Sequence, residues 1–218
     1  MIPAINEVLI NTSSLLTLVL ALWAIFKWKV ASKEQPYLCW LVWVSAATEI
    51  LAYVLIWLFS FNLPLLHVFT VIEFYLIVKI YQTALKEKNK DQFFKVSVIG
   101  FTIIAIVYAS ISGNIMKMND VVRVVESIYL TFLALYFFYH TLQTLEIRHL
   151  EHSSMFWINA AVLIYFSSNL FIFLLSNYGD FFEEGSDLAD IMYGLHATIT
   201  ITKHLLFAIA LGVNNRNG

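Results

Sequence analysis

Seven apolar runs, each about long enough to cross the hydrocarbon core of a bilayer, follow one another along this chain with little between them. They cover roughly residues 7–28, 37–60, 64–84, 94–112, 121–144, 155–177 and 188–211. A 20-residue helix spans about 30 Å, so each run reads as one crossing. Together they use roughly two thirds of the chain, and the gaps are too short for a folded domain outside the membrane. The expected fold is all-α: one polytopic integral membrane domain over residues 1–218, a seven-transmembrane helix bundle.

Composition agrees and excludes other classes. Of the 218 residues 60% are hydrophobic and only 13% charged, about half the usual charged share of a soluble domain. Thirteen Lys and Arg stand against fifteen Asp and Glu, a net charge of -2 that gives no basic footprint for nucleic acid. The single cysteine, Cys39, makes an internal disulfide impossible.

The lysines and arginines set an expected orientation. Lys27, Lys29, Lys33, Lys86, Lys88, Lys90, Lys95, Arg148 and Arg216 fall on one side of the seven runs, and only Lys117 and Arg123 on the other. The crowded side is expected to be cytoplasmic, with the N-terminus outside, the C-terminus inside and the cell membrane as the location. Asp180, Glu183, Glu184 and Asp187 then make the outer face acidic. Met1 to Phe26 contains no Lys or Arg, unlike a cleavable signal, so the first run is expected to stay as a span. Trp28, Trp40, Trp43 and Trp157 fall near the inner boundary, where an aromatic belt sits.

Charges inside the runs carry the functional reading. An ionised side chain at the centre of a membrane helix costs about 2.5–3.5 kcal/mol on insertion scales, which makes such groups default candidates. Glu49 and Glu73 stand near the middle of the second and third spans, Arg123 and Glu126 in the outer third of the fifth, and His196 and Lys203 in the seventh. Tyr193, His196, Thr200 and Lys203 step by three and four, which places them on one stripe. The stripes are expected to turn inward as one ligand-binding or proton-relay network, with Lys203 paired to Glu49 or Glu73 and with Glu126 and Arg123 at its outer mouth. Lys79 is near a helix end and is set aside as able to snorkel. Asn159 and Asn169 read as glue between helices, and His67 as a solvated histidine.

Four functions compete. A sensor or receptor-like protein, responding to a small molecule, a lipid or protons and signalling to a cytoplasmic partner, fits continuous helices with central charges. A small proton-coupled transporter fits the same charges. Carriers, however, often break helices at the midplane. Pro3, Pro36 and Pro64 lie at or outside span ends here, and of the glycines only Gly100 is well inside a span, with Gly194 nearer an end. A metal-dependent hydrolase wants two His on one helix turn, and Thr200 stands where His196 would need its partner. His67, Glu126 and His196 from three helices are the remaining metal set. Seven spans and Lys203 in the last resemble the architecture of microbial rhodopsins. Yet Ile199 stands one turn before Lys203, where that family usually has an acid. No cofactor is named by these residues, and the sensor leads.

Overall fold

A computed structural model describes residues 2–28, 33–85, 91–111, 114–117, 119–144, 150–176 and 187–213. Within them run seven α-helices: α1 (Ile2–Lys27), α2 (Gln35–Phe59), α3 (Leu63–Leu85), α4 (Asp91–Ser110), α5 (Asp120–Thr144), α6 (Ser154–Ser176) and α7 (Asp187–Gly212). All seven are long and apolar enough to cross a membrane, and no strand occurs among the described residues. The chain is a multi-pass membrane protein of seven-helix bundle form. Each helix lies within a few residues of its expected span and continues unbroken, through Gly100 in α4 and Gly194 in α7.

The helices close into a ring in which α1 packs on α2 and α7, α2 on α3, α3 on α5, α5 on α6, and α6 on α7. α4 lies against the outside of α3 and α5. Its few buried side chains include Phe101, which stacks on Phe74 of α3 at 3.9 Å between ring centres. α3 is the most enclosed helix, buried from His67 to Leu85 along one side. Its enclosure follows from the ring: it is the helix with α2, α4 and α5 around it.

Sharp ends make the alternation work. α2 stops at Ser60, whose left-handed φ of 56° lets its N–H reach the Ile56 carbonyl at 2.8 Å. Pro64 then begins α3, where a missing N–H does no harm. Because successive helices alternate in direction, Lys27, Lys33 and Lys95 gather at one end and Lys117 and Arg123 toward the other. Lys29, Lys86, Lys88, Lys90, Arg148 and Arg216 lie outside the described residues, as do Asp180, Glu183 and Glu184.

At the lysine-rich end Trp28, Trp40 and Trp43 form a triangle with ring centres 5.1–6.0 Å apart. Trp43 donates to the Ala21 carbonyl, and Trp157 to the Glu151 carbonyl. Indoles need both apolar contact and a polar partner, which the boundary of a bilayer supplies.

Uncharged side chains hold the helices together in depth. Gln35 and Ser154 both donate to the Ala210 carbonyl at 2.8 Å, tying the starts of α2 and α6 to the end of α7. Tyr81 donates to Asn159 Oδ1 at 2.6 Å, and Asn159 Nδ2 donates to the Ala134 carbonyl at 3.3 Å, so one amide joins α3, α5 and α6. Such bonds in membranes average about 0.6 kcal/mol, with maxima near 1.7. Tyr81→Phe leaves the ring in place and removes the donor. It should lower stability by about 1 kcal/mol in reversible unfolding from mixed micelles, and a loss below the error of that measurement would show that packing alone holds α3 on α6.

Candidate functional site

Glu73 stands at the centre of the bundle, 1% exposed, ten residues into α3. Its two oxygens face different helices. Oε2 accepts from Arg123 Nη1 of α5 at 2.6 Å, and Oε1 lies 3.7 Å from Lys203 Nζ of α7. Arg123 Nη1 also reaches Glu126 Oε2 at 3.1 Å, one turn along its own helix. Lys203 Nζ sits 3.8 Å from the ring centre of Tyr165 on α6. Two carboxylates and two cations thus form one cluster whose formal charges cancel, and it joins α3, α5, α6 and α7.

The sequence places these groups simply. Arg123 and Glu126 are three apart and share a helix face. Glu73 lies on the enclosed side of α3 because Thr70, Phe74 and Ile77, at helical spacing from it, are buried too. Asn119 fixes the register of α5 on α3: its carbonyl accepts from the Arg123 backbone N–H at 2.9 Å, and its Nδ2 donates to Thr70 Oγ1 at 2.6 Å.

One atom of the cluster is left over. Glu126 is fully buried, and its Oε1 has no hydrogen-bond partner. A buried, unsatisfied polar atom costs about 1–3 kcal/mol, more when charged, so this oxygen is a defect in an otherwise paired group.

Next to Glu73 and Lys203 a small cavity, with room for about one water, is lined by Thr17, Ser45, His204, Phe207 and aliphatic side chains of α1 and α2. Thr17 donates to the Ser13 carbonyl, so its oxygen is free to accept from His204 Nε2 at 3.5 Å. His204 Nδ1 remains buried and without a partner. Polar groups therefore continue from the cluster toward α1.

Expected site residues fall into two groups. Glu73, Lys203, Arg123 and Glu126 come together. Between the two expected partners of Lys203 the structure selects Glu73. Glu49 instead accepts from Ser14 of α1, in a groove between α1 and α2. Arg123 and Glu126 belong to the same cluster, because Arg123 bonds to Glu73. His196 borders it at one remove, donating from Nδ1 to Asn169 Oδ1 at 2.7 Å, with Asn169 Nδ2 donating to the Tyr165 carbonyl.

Tyr193 stands apart, 49% exposed. Ten residues at 3.6 per turn leave it rotated about 80° from Lys203, so the stripe of threes and fours drifts off the inner face. His67 is not solvated: it is buried and donates from Nε2 to the Lys117 carbonyl at 3.1 Å. His67, Glu126 and His196, the remaining metal set of the hydrolase reading, are each held by a different partner. No group of three His, Cys, Asp or Glu able to hold a metal exists among the described residues. The space beside Lys203 is also far too small for a polyene chromophore.

His204 and Thr17 were missed in the sequence. The signal for His204 was its place directly after Lys203. Comparison with protein families, with curated proteins and with solved structures finds no match for this chain.

Removing one member of a buried pair typically costs about 3–5 kcal/mol because a charge is stranded. Glu73→Gln leaves Arg123 with Glu126 but strands Lys203, and Lys203→Met leaves Glu73 with Arg123 alone. The double variant Glu73→Gln/Lys203→Met keeps one balanced pair, Arg123 with Glu126. It should be more stable than Glu73→Gln alone, with a coupling of about 1–3 kcal/mol in a double-mutant cycle. Simple additivity would mean that Glu73 and Lys203 do not interact.

Proposed function

We propose that this chain is an integral membrane sensor: a bundle whose buried charge cluster changes its pairing in response to a small molecule, a lipid or protons, and passes the shift to a cytoplasmic partner. The observation that carries the reading is the position of Arg123, one guanidinium nitrogen at 2.6 Å from Glu73 and 3.1 Å from Glu126. Both carboxylates draw on one guanidinium nitrogen, whose two N–H groups serve them at unequal lengths, and a small rotation of α5 would change that balance. Glu73 in turn divides itself between α5 and α7. An element with two close pairings is what a ligand biases when it prefers one of them.

The continuous helices support sensing over carriage, since many carriers expose their site by breaking helices at the midplane. The excess of Lys and Arg at the end where α1 finishes supports a cytoplasmic face there, with the partner docking on it. The cluster then lies nearer the outer face along α5: Glu126 is six residues below Asp120, about 9 Å of helix. A second reading, a small proton-coupled transporter, is favoured by the water-sized cavity beside Glu73 and Lys203.

Native mass spectrometry of the protein, gently extracted from its own membrane, separates the two. A soluble protein or a stoichiometric small molecule or lipid should accompany the wild type and be lost or weakened in Arg123→Lys, which keeps the charge but not the planar fork. If the protein travels alone and instead moves protons or a solute in proteoliposomes, with flux abolished by Glu73→Gln, the sensor reading fails and transport replaces it.

A further inference from the structure

We propose that Oε1 of Glu126 is a proton-binding site and that loading it is the event that re-pairs the cluster. The inference deepens the sensor reading by naming a proton as the input, and it rests on that reading for what the proton does.

Four features of geometry point to this atom. Glu126 is fully enclosed, yet one of its oxygens touches no donor. Its single bond, 3.1 Å to Arg123, is longer than the 2.6 Å bond the same nitrogen makes to Glu73. Its one ion pair is to Arg123, whereas Glu73 pairs with Arg123 and Lys203 together. Finally, it stands about two turns from the start of α5.

The charged and titratable groups facing Glu126 are Glu73 from α3, Arg123 from its own helix, Tyr165 from α6 and Lys203 from α7. With Glu126 ionised the cluster is neutral, but a charged oxygen stays bare. With Glu126 protonated that oxygen is a neutral hydroxyl, but the cluster carries one excess positive charge. Each state has one flaw, so neither is favoured by a large margin, which is the condition for a switch.

The step balances. A hydronium ion gives up one O–H bond and leaves as water while its proton forms an O–H bond at Oε1, and the carboxylate becomes a carboxylic acid. Oε2 becomes a carbonyl, so the Arg123 bond to it weakens and Arg123 turns toward Glu73, which changes how α5 is held against α3. Glu73 is the poorer site, because a proton there would oppose two cations at once.

Infrared titration of the wild type in bilayers tests this. A carboxylic C=O band that shifts in D₂O should appear as the pH is lowered from mildly alkaline to mildly acidic. It should vanish in Glu126→Gln and persist in Glu73→Gln. Glu126→Asp keeps a carboxyl on a shorter stem and should move the band rather than remove it, which serves if Glu126→Gln does not fold. A band that is unchanged in Glu126→Gln or Glu126→Asp overturns the proposal, as does the lack of any titrating band in the wild type. Hydrogen exchange along α5 is followed in the same samples. A band that titrates at Glu126 with no change in α5 exchange upholds the proton site and removes the sensor reading.

Discussion

A bilayer interior cannot solvate a charge, and the bundle is arranged around that constraint. Two carboxylates and two cations at its centre persist because their formal charges cancel and because α3, α5 and α7 bring them together. Glu73 is the hub: without it, Arg123 of α5 would have only its own helix to pair with, and Lys203 of α7 would face an aromatic ring alone. Apolar packing against lipid tails gives no hydrophobic drive for helix to join helix, so the specific order of α3, α5, α6 and α7 draws on these charges and on amides such as Asn159 and Asn169. The same interactions that choose the fold are those a stimulus would have to disturb.

Paired charge explains why the outer helices are so plain. α1, α2 and α4 turn large aliphatic and aromatic side chains to the surface, including Leu22, Trp57 and Ile103, as lipid contact requires. Their polar groups are short and bond to the nearest carbonyl, as Thr102 does to Val98 and Ser110 to Ile106. Gln35 and Asn6 reach across to α7 instead, and Glu49 is a further exception. It sits between two of these helices with a serine rather than a cation beside it, so it contributes to the α1–α2 contact without belonging to the cluster.

The fold was legible because hydrophobic length alone fixes spans, and the seven helices fall where the apolar runs lie. The site was legible in part. Depth within a span identified Glu73, Lys203, Arg123 and Glu126, since a charge there needs a partner wherever it is. Which partner it takes depends on helix rotation and neighbour order, and neither is written in one span. Glu49 and Glu73 are equally central in sequence, but Glu73 lies on the enclosed side of α3 whereas Glu49 lies against α1. Tyr193 was misplaced by a purely local error, spacing of three and four read as a straight stripe over too many turns. His67 was misjudged because its partner is a backbone carbonyl from a connection distant in sequence.

A fully satisfied cluster would be a good staple and a poor detector, since every displacement from it would cost several kcal/mol. The bare oxygen of Glu126, the unpartnered Nδ1 of His204 and the adjoining cavity reduce that cost locally without opening the bundle. They lie on opposite flanks of Glu73, one on α5 and the other against α1. Rearrangement at either flank acts on the Glu73 carboxylate, because it bonds to both α5 and α7. On the sensor reading proposed above, a change entering along α5 would be transmitted to α7, which packs on α1 and α6. Coupling between the two ends needs no broken helix and no open channel; it needs a single carboxylate that two moving helices both require.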